Sequence, residues 1–272
     1  MAKKTTVAGI IGLVTTILLG CAGRGANPGE PAGGSLTIFA AASLTEAFRE
    51  VGEAFEAGHP GSEVTFNFAG SQQLALQIQQ GARADVFASA NERQMEKVLV
   101  AGLAAGDEAM TFARNSMITI VPGDNPGSVE GLPDLARPGV KLILAGEQVP
   151  AGAYARQVLA RLSADAAYGP GFGPAVLDNV ISNEENIRQV VAKIRLGEAD
   201  AALVYRSDVT PDVANEVETI EIPAEFNVTA TYPLAVLETA RDPELARQFV
   251  AFVLSPEGQR ILVRWGLLLA QE

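Results

Sequence analysis

Short apolar segments and amphipathic segments alternate along the chain from Leu36 onward. The first apolar segment, LTIFA, has the length and composition of a buried strand. The segment that follows it, SLTEAFREVGEAFEA, places Leu44, Phe48, Val51 and Phe55 at the spacing of one helical face. The pattern therefore predicts a strand that runs directly into an amphipathic helix.

The same alternation continues through the rest of the chain. EVTFNFAG has the period-two pattern of a strand, and SQQLALQIQQG has the pattern of a helix with Leu74 and Ile78 facing inward. Further strands are predicted at ADVFASA, MITIVPG, VKLILAG and AALVYRS, with helices near residues 153–162 and 186–196. Strands that alternate with helices are typical of βαβ units, so we predict an α/β fold with mainly parallel sheets. Ligands of such sheets bind at the carboxyl ends of the strands.

Small or polar residues recur where a strand ends and a helix is predicted to begin. They lie at Ala42-Ser43, Gly70-Ser71, Pro150-Ala151-Gly152 and Glu185-Asn186-Ile187. The first N–H groups of a helix lack intrahelical partners and carry the positive end of its dipole, so converging helix starts would form an anion site. Each start alone is weak evidence, because serine is a common helix cap. Ser43 and Glu46 also have the spacing of a capping box.

The N-terminal segment has the pattern of an export signal. Lys3 and Lys4 precede an apolar run at residues 7–20, which is shorter than the ~20 residues that span a bilayer and suits a signal peptide. The run ends in LLGC, which resembles the lipobox of bacterial lipoproteins. That resemblance implies removal of residues 1–20 and lipidation of Cys21; the alternative is an ordinary buried cysteine. Residues 21–35 are rich in Gly, Pro and Ala, which predicts a flexible tether.

Composition and charge exclude several classes of function. The chain of 272 residues has a formal net charge of −12, and loss of the two lysines in the signal gives −12 − 2 = −14. Neither a nucleic-acid partner nor a basic membrane-binding surface is therefore expected. A single histidine, His59, and a single cysteine, Cys21, do not suffice for a His/Cys zinc site or an intramolecular disulfide. They also argue against a Ser–His–Asp triad.

A series of motifs runs in order from about Leu36 to Gly266. It comprises FAAASLTEAF, FAGSQQLALQIQQGARADVFASA, Asn115-Ser116, VPAGAYARQVL, ENIRQVVAKIRLGEADAALVYRSD and TYPLAV. Together these motifs resemble the successive motifs of the periplasmic molybdate-binding proteins of bacterial ABC importers. Several motifs at family-like spacing are much harder to meet by chance than one glycine-rich loop.

The resemblance implies a two-lobed α/β protein of the type II periplasmic binding class, with the ligand in the cleft between the lobes. Lobe I would comprise residues 36–114 and 230–272, lobe II residues 115–229, and the two crossings between them would be the hinge. The resemblance also implies a monomer, held by its lipid at the outer face of the cytoplasmic membrane, that delivers its ligand to an ABC permease and ATPase. No cofactor is implied, since molybdate or tungstate is the cargo.

Five ligand contacts are carried over by the resemblance. Ser43 and Ser71 each offer a hydroxyl and a backbone N–H, whereas Ala151 offers its N–H alone. Tyr205 matches a tyrosine that donates its phenol, and Ile187 stands where the family usually has valine. Because the contact of Ile187 is a backbone N–H, that difference leaves the donor intact. No protein side chain is expected to bind the molybdenum directly.

These residue types suit a fully ionised oxyanion. Molybdate has four oxygens and no proton at neutral pH, so its site needs donors and no acceptor. A protonated phosphate would leave its own hydrogen without a partner, and an unmade bond in a desolvated pocket costs roughly 1–3 kcal/mol.

Three classes of function are kept open. The first is an oxyanion receptor, with molybdate favoured, tungstate as its near-isostere and sulfate as a smaller competitor. The second is a binding protein of the same fold for ferric iron or an organic anion. The third, an exported enzyme, is disfavoured because the sequence has neither a nucleophile–base set nor a phosphate loop of the form G-x-x-x-x-G-K-[ST].

The remaining conspicuous residues are given structural roles. Tyr154 and Tyr232 are interpreted as packing in the cleft wall, although paired tyrosines could hold iron. Glu184 and Glu185 are interpreted as acids favoured by the dipole in the first turn of a helix, rather than as ligands. The last three are interpreted as a cap or turn acid (Asp85), a solvated turn residue (His59) and a core residue (Trp265).

Overall fold

The computed structural model describes residues 1–2, 34–105 and 109–270. Apart from Met1 and Ala2, the predicted export signal at residues 1–20 therefore lies outside the described residues, as do the predicted lipidation site, Cys21, and most of the tether predicted at residues 21–35. Within the described ranges, no helix combines the length and the apolar character needed to cross a membrane.

Strands and helices alternate through the described chain, as the sequence pattern predicts. The helices are α1 (Thr45–Gly58), α2 (Ser71–Gln79), α3 (Glu92–Val100), α4 (Pro150–Ala164), α5 (Phe172–Asp178), α6 (Ile187–Arg195), α7 (Pro211–Ala214), α8 (Pro243–Leu254) and α9 (Pro256–Arg264). The strands are β1 (Ser35–Ala41), β2 (Glu63–Ala69), β3 (Val86–Ala88), β4 (Met110–Asn115), β5 (Met117–Pro122), β6 (Leu142–Ala145), β7 (Val180–Glu184), β8 (Ala201–Tyr205), β9 (Val217–Ile220), β10 (Ala230–Val236) and β11 (Leu268–Leu269).

The strands form two sheets. The first has the order β11-β4-β10-β3-β1-β2, and the second has the order β7-β6-β8-β5-β9. We call the half of the molecule built on the first sheet lobe I and the half built on the second sheet lobe II. The chain passes from lobe I to lobe II between β4 and β5 and returns at β10. The predicted residue bounds of the lobes stay a prediction.

Both sheets are mixed, whereas the sequence pattern predicts mainly parallel sheets. In lobe I, β1 pairs in parallel with β2 and β3, but β10 runs antiparallel to β3 and β4, and β11 to β4. In lobe II, β6 pairs in parallel with β7 and β8, but β5 runs antiparallel to β8 and β9. The strands β5 and β10 are the first after each crossing, so they enter their sheets from the opposite lobe and run against the βαβ strands. Residue periodicity carries no information on that direction.

Aromatic rings fill the core of lobe I on the face that α1 covers. Phe48 and Phe55 of α1 are fully buried against Phe249 of α8, with ring centroids 6.3 and 5.4 Å apart. Both phenylalanines belong to the helical face predicted from the sequence. Full burial of one phenylalanine side chain contributes about 1.5–3 kcal/mol, so this face fixes α1 on the sheet.

Asp85 has the structural role predicted for it. Its carboxylate accepts hydrogen bonds from the backbone N–H of Thr37 at 2.6 Å and of Arg241 at 2.7 Å, and so joins β1 to the segment before α8. Trp265 packs against the core and donates its indole N–H to Glu50 at 2.6 Å. The interpretation of His59 as solvated is wrong, because its ring is partly buried and stacks on Phe55 at 3.9 Å between centroids.

Candidate functional site

The four predicted helix starts converge on one cavity between the lobes. All five residues carried over as ligand contacts line it, namely Ser43, Ser71, Ala151, Ile187 and Tyr205. The rest of its wall is formed by Ala41, Ala42, Gly70, Ala90, Val149, Pro150 and Asn186. The structure thus brings together residues that are far apart in the sequence; their contact with a ligand stays a prediction.

Each lobe contributes two of the helix starts. In lobe I, β1 leads into a 3₁₀ turn at Ala42–Leu44 followed by α1, and β2 leads into α2. In lobe II, β6 leads to α4 and β7 leads to α6. The first N–H groups of these helices have no intrahelical acceptor, so the cavity wall carries donors and the positive ends of helix dipoles. This arrangement favours an anion without any positively charged side chain in the wall.

The predicted capping box of Ser43 and Glu46 is wrong. The 3₁₀ turn displaces the start of α1 to Thr45, and no side chain caps the helix. The hydroxyl of Ser43 lies 3.1 Å from the phenol oxygen of Tyr232. Glu46 forms an ion pair with Arg188 of lobe II. Long-range partners therefore replace the local hydrogen bonds that the spacing suggests.

Ser71 lies at the first position of α2 and is almost completely buried. Its hydroxyl oxygen accepts a hydrogen bond from the backbone N–H of Ala90 at 3.0 Å. A backbone N–H can only donate, so the hydrogen of the Ser71 hydroxyl is directed to another acceptor. Since Ser71 lines the cavity, its hydroxyl is available as a donor there.

Tyr205 ends β8 and is also buried, with 1% of its surface exposed. Within the described residues its phenol oxygen has no hydrogen-bond partner within 3.5 Å, although the phenol of Tyr232 lies close to it. Burial raises the pKa of the Tyr205 phenol well above its usual value, and the nearby Tyr232, Tyr154 and Asp208 raise it further. The phenol therefore keeps its proton at physiological pH. A buried, unpaired polar group is costly, and an acceptor brought by a ligand would remove that cost.

Tyr232 is more than a packing residue of the wall. It is fully buried, and its phenol oxygen is hydrogen-bonded to the hydroxyl of Ser43 and, at 3.3 Å, to the side-chain amide of Asn115. Burial raises the pKa of Tyr232 as well, so it stays protonated. This role is not predicted from the sequence, although Asn115 and Tyr232 lie in the motifs Asn115-Ser116 and TYPLAV.

Polar contacts join the lobes around the cavity. Gln72 and Gln73 of α2 donate to the backbone oxygen and the carboxylate of Glu185, at 2.7 and 3.1 Å. Gln94 of α3 donates to the backbone oxygen of Gln148 at 3.1 Å. These contacts hold the lobes in a closed arrangement.

The interpretation of Glu184 and Glu185 as first-turn acids is wrong. The helix α6 begins at Ile187, and Asn186 caps it by accepting a hydrogen bond from the N–H of Gln189. Both acids precede the helix. Glu184 pairs with Lys193 at 2.8 Å, and Glu185 makes the contacts with lobe I described above. Within the described residues, no group of three or more His, Cys, Asp or Glu side chains is placed to hold a metal ion.

The sheet order and the cavity between two lobes define a solute-binding protein. The chain belongs to the family of bacterial extracellular solute-binding proteins, which its residues 36–268 match. This family consists of binding proteins, in agreement with the interpretation that the chain is not an enzyme.

Among known proteins, the chain is similar to the molybdate-binding protein ModA of Mycobacterium tuberculosis. The two are 41% identical over 263 residues, which cover 94% of this chain and 95% of that protein. The fold is similar to that of the periplasmic molybdate-binding protein of Azotobacter vinelandii, with a TM-score of 0.73 and 20% identity over 86% of this chain and 99% of that one. It is equally similar to the sulfate-binding protein SubI of Mycobacterium tuberculosis, with a TM-score of 0.75 and 20% identity over 86% of each chain. These two structures confirm the two-lobed type II fold.

Proposed function

We propose that this protein captures molybdate, and tungstate as its near-isostere, outside the cytoplasm and delivers it to an ABC importer. The observation that carries the proposal is the convergence of hydrogen-bond donors on one buried cavity. Ser43 and Ser71 bring hydroxyls, Ala151 and Ile187 bring backbone N–H groups, and Tyr205 brings a phenol. The 41% identity to a molybdate-binding protein over nearly the whole chain supports the same ligand.

The donors are sufficient for tight binding. A hydrogen bond to a charged group contributes about 1.5–3 kcal/mol, and micromolar binding requires about 8 kcal/mol. Five such donors would exceed that requirement even after the entropic costs of association. The acidic surface does not oppose this, since charges more than a Debye length of about 8–10 Å away are screened.

Sulfate is the second candidate, because the fold is as similar to a sulfate-binding protein as to a molybdate-binding one. Both anions are tetrahedral, unprotonated and doubly charged, so the same donors would serve either. Their size distinguishes them. Ferric iron is disfavoured, because it is held by carboxylates, histidines and tyrosines, and the cavity wall provides only one of these side chains, Tyr205.

The test is isothermal titration calorimetry on residues 22–272, which lack the predicted signal and Cys21. Molybdate, tungstate, sulfate and phosphate would be titrated in turn. We expect micromolar or tighter binding of molybdate and tungstate, weaker binding of sulfate, and phosphate binding too weak to detect by direct titration. Sulfate binding more tightly than molybdate would replace the proposed ligand, and phosphate binding as tightly as molybdate would refute a site made of donors alone.

The membrane anchor is the second part of the proposal. Lipidation of Cys21 would keep the binding domain near its permease, while the tether at residues 21–35 would let it move. Stable anchoring requires more than one acyl chain, as bacterial lipoproteins carry. We expect Cys21→Ala to release the protein from the membrane fraction and to abolish labelling by radioactive palmitate. A Cys21→Ala protein that stays with the membrane would disprove the lipobox interpretation.

A further inference from the structure

The direction of the hydrogen bonds behind Ser43 can be deduced from groups that can only donate. The backbone N–H of Ser116 lies 3.0 Å from one side-chain atom of Asn115, which must therefore be the amide oxygen. The amide nitrogen of Asn115 then faces Ser207, at 2.7 Å, and the phenol oxygen of Tyr232, at 3.3 Å. Asn115 is thus a donor to Tyr232.

The hydrogen bond between Tyr232 and Ser43 also has a defined direction. Tyr232 and Asn115 are fully buried, and buried polar groups are almost always hydrogen-bonded. With its oxygen accepting from Asn115, the phenol of Tyr232 satisfies its own hydrogen by donating to the Ser43 hydroxyl at 3.1 Å. The Ser43 oxygen then accepts from Tyr232, and its own hydrogen turns toward the cavity that Ser43 lines.

We propose that Tyr232, oriented by Asn115, is a positioning and specificity-determining residue that makes the Ser43 hydroxyl a donor to the bound anion. This inference rests on the proposed function. Ser71 is the counterpart on the next helix start, where the N–H of Ala90 occupies the hydroxyl oxygen in the same way. Both serines then present hydrogens to the ligand, while one lone pair of each oxygen is engaged behind the wall.

The consequence is discrimination by protonation state. A serine hydroxyl can normally rotate to accept a hydrogen bond from a protonated oxyanion. A hydroxyl whose oxygen already accepts a hydrogen bond from a buried donor has one free lone pair instead of two, so it accepts a hydrogen bond from the ligand less readily. Sulfate and hydrogen phosphate are matched in shape and charge and differ by one proton, so they report directly on this property.

The experiment compares Tyr232→Phe with the wild type, both as residues 22–272. Affinities for molybdate and sulfate would be measured by calorimetry, and that for phosphate by displacement of molybdate. We expect Tyr232→Phe to lower the molybdate-to-phosphate and sulfate-to-phosphate affinity ratios by about tenfold, the equivalent of one charge-assisted hydrogen bond. If Tyr232 only packs against its neighbours, Tyr232→Phe would lower the affinities for all three anions by the same factor.

Two control variants distinguish an effect on the direction of the hydrogen bond at Ser43 from a general loss of protein stability. Ser207→Ala removes the other acceptor of Asn115 without touching Tyr232, so it should lower the melting temperature and leave the ratios unchanged. Tyr168→Phe removes a phenol hydroxyl from a residue outside the cavity wall, so it should change neither the melting temperature nor the affinity ratios. If Tyr232→Phe fails to fold, Asn115→Ala serves instead, because it frees the Tyr232 hydroxyl to turn and should lower the ratios in the same direction.

The inference and the proposed function fail in different ways. Ratios that stay within twofold of wild type in a folded Tyr232→Phe protein, or in Asn115→Ala, would overturn the inference alone. A wild-type protein that binds none of the dianions would refute the proposed function, and the inference with it.

Discussion

Arg188, the second residue of α6 in lobe II, forms a two-pronged ion pair with Glu46 of α1 in lobe I. Its Nη1 lies 2.9 Å from Oε2 of Glu46, and its Nη2 contacts the other carboxylate oxygen. Arg188 directly follows the cavity residue Ile187, and Glu46 lies one helical turn beyond Ser43. The pair therefore joins two of the helix starts that form the opposite walls of the cavity.

Arg188→Gln should weaken ligand binding by loosening this closed arrangement. The two side chains are 36% and 23% exposed, and exposed pairs contribute about 0.2–1 kcal/mol. We therefore expect a loss of molybdate affinity of up to about fivefold, larger at low than at high salt because salt screens the pair. Calorimetry at two salt concentrations measures both effects.

The matched control for Arg188 is Arg195→Gln. It removes an ion pair with Glu216 that lies within lobe II. An equal loss of affinity in both variants would show that the contact between the lobes has no special part in binding.

Gly70 offers a second test of closure, this time by steric means. A Cβ atom at Gly70 would lie 2.6 Å from the backbone oxygen of Glu185 in lobe II and 2.5 Å from the flexible amide of Gln72. The backbone of Gly70, at φ −60°, accepts alanine without strain. Gly70→Ala should therefore leave the ligand-free protein about as stable as wild type, since the lobes can part, but weaken molybdate binding. Overpacking costs about 1–3 kcal/mol, which corresponds to roughly fivefold or more in affinity.

Gly171→Ala is the control for this substitution. A Cβ atom at Gly171 would meet nothing within 4 Å, and its φ of −83° also suits alanine. Unchanged molybdate affinity in Gly70→Ala would mean that the contact with Glu185 is absent from the ligand-bound protein.

The sequence predicts the helix starts well, because each lies where an apolar or period-two strand gives way to a 3.6-residue period. The structure begins α2 at Ser71, α4 at Pro150 and α6 at Ile187, within a few residues of the predicted positions. Their convergence is a property of the sheets, since strand ends of βαβ units meet at one edge.

The sequence does not predict the partners of the cavity side chains. Ser43 and Glu46 have the spacing of a capping box, yet their partners Tyr232 and Arg188 lie 189 and 142 positions away. A capping box is favoured only because its two residues are close in the sequence. In the folded protein, the buried phenol of Tyr232 and the guanidinium of Arg188 bind Ser43 and Glu46 instead. The antiparallel direction of β5 and β10 is not predicted from the sequence for a similar reason, because it depends on where the chain re-enters each sheet.

Tyr205→Phe should separate stability from function. The Tyr205 hydroxyl is buried without a hydrogen-bond partner in the described part of the protein, so its removal relieves a cost of about 1–3 kcal/mol in the ligand-free state. We expect the melting temperature of the ligand-free protein to stay equal or rise. Molybdate affinity should fall about tenfold or more, because one hydrogen bond to the anion is lost. Calorimetry and thermal unfolding of the same preparation measure both quantities.

Ser71→Ala is the contrasting variant for Tyr205→Phe. It leaves the N–H of Ala90 without an acceptor, so it should lower both stability and affinity. If Tyr205→Phe kept the wild-type affinity for molybdate, the Tyr205 phenol would not be a ligand contact, even with the fold intact.

Asp208 is a buried acid directly behind Tyr205. One carboxylate oxygen accepts the backbone N–H of Tyr205 at 2.9 Å, and the other has no partner among the described residues. Burial raises the pKa of Asp208 from 3.8 to about 7. The hydrogen bond from Tyr205 and the charge of Arg188 oppose this rise, and the charge of Glu46 adds to it.

Asp208 should make the protein less stable as the pH rises from about 4 to about 7. Between the unfolded pKa of 3.8 and the folded pKa of about 7, the folded state holds a proton that the unfolded state has released. The free energy of unfolding therefore falls as the pH rises across this window. The total loss is at most about 1.4 kcal/mol for each unit of pKa difference, and above the folded pKa the contribution of Asp208 no longer changes with pH.

Asp208→Asn keeps an oxygen for the N–H of Tyr205 and removes the titration, so the variant should gain stability relative to wild type between pH 5 and pH 8. Urea unfolding of both proteins at these two pH values measures the difference, in which the other titrating groups cancel. A stability difference that is the same at both pH values would show that Asp208 is ionised throughout this range.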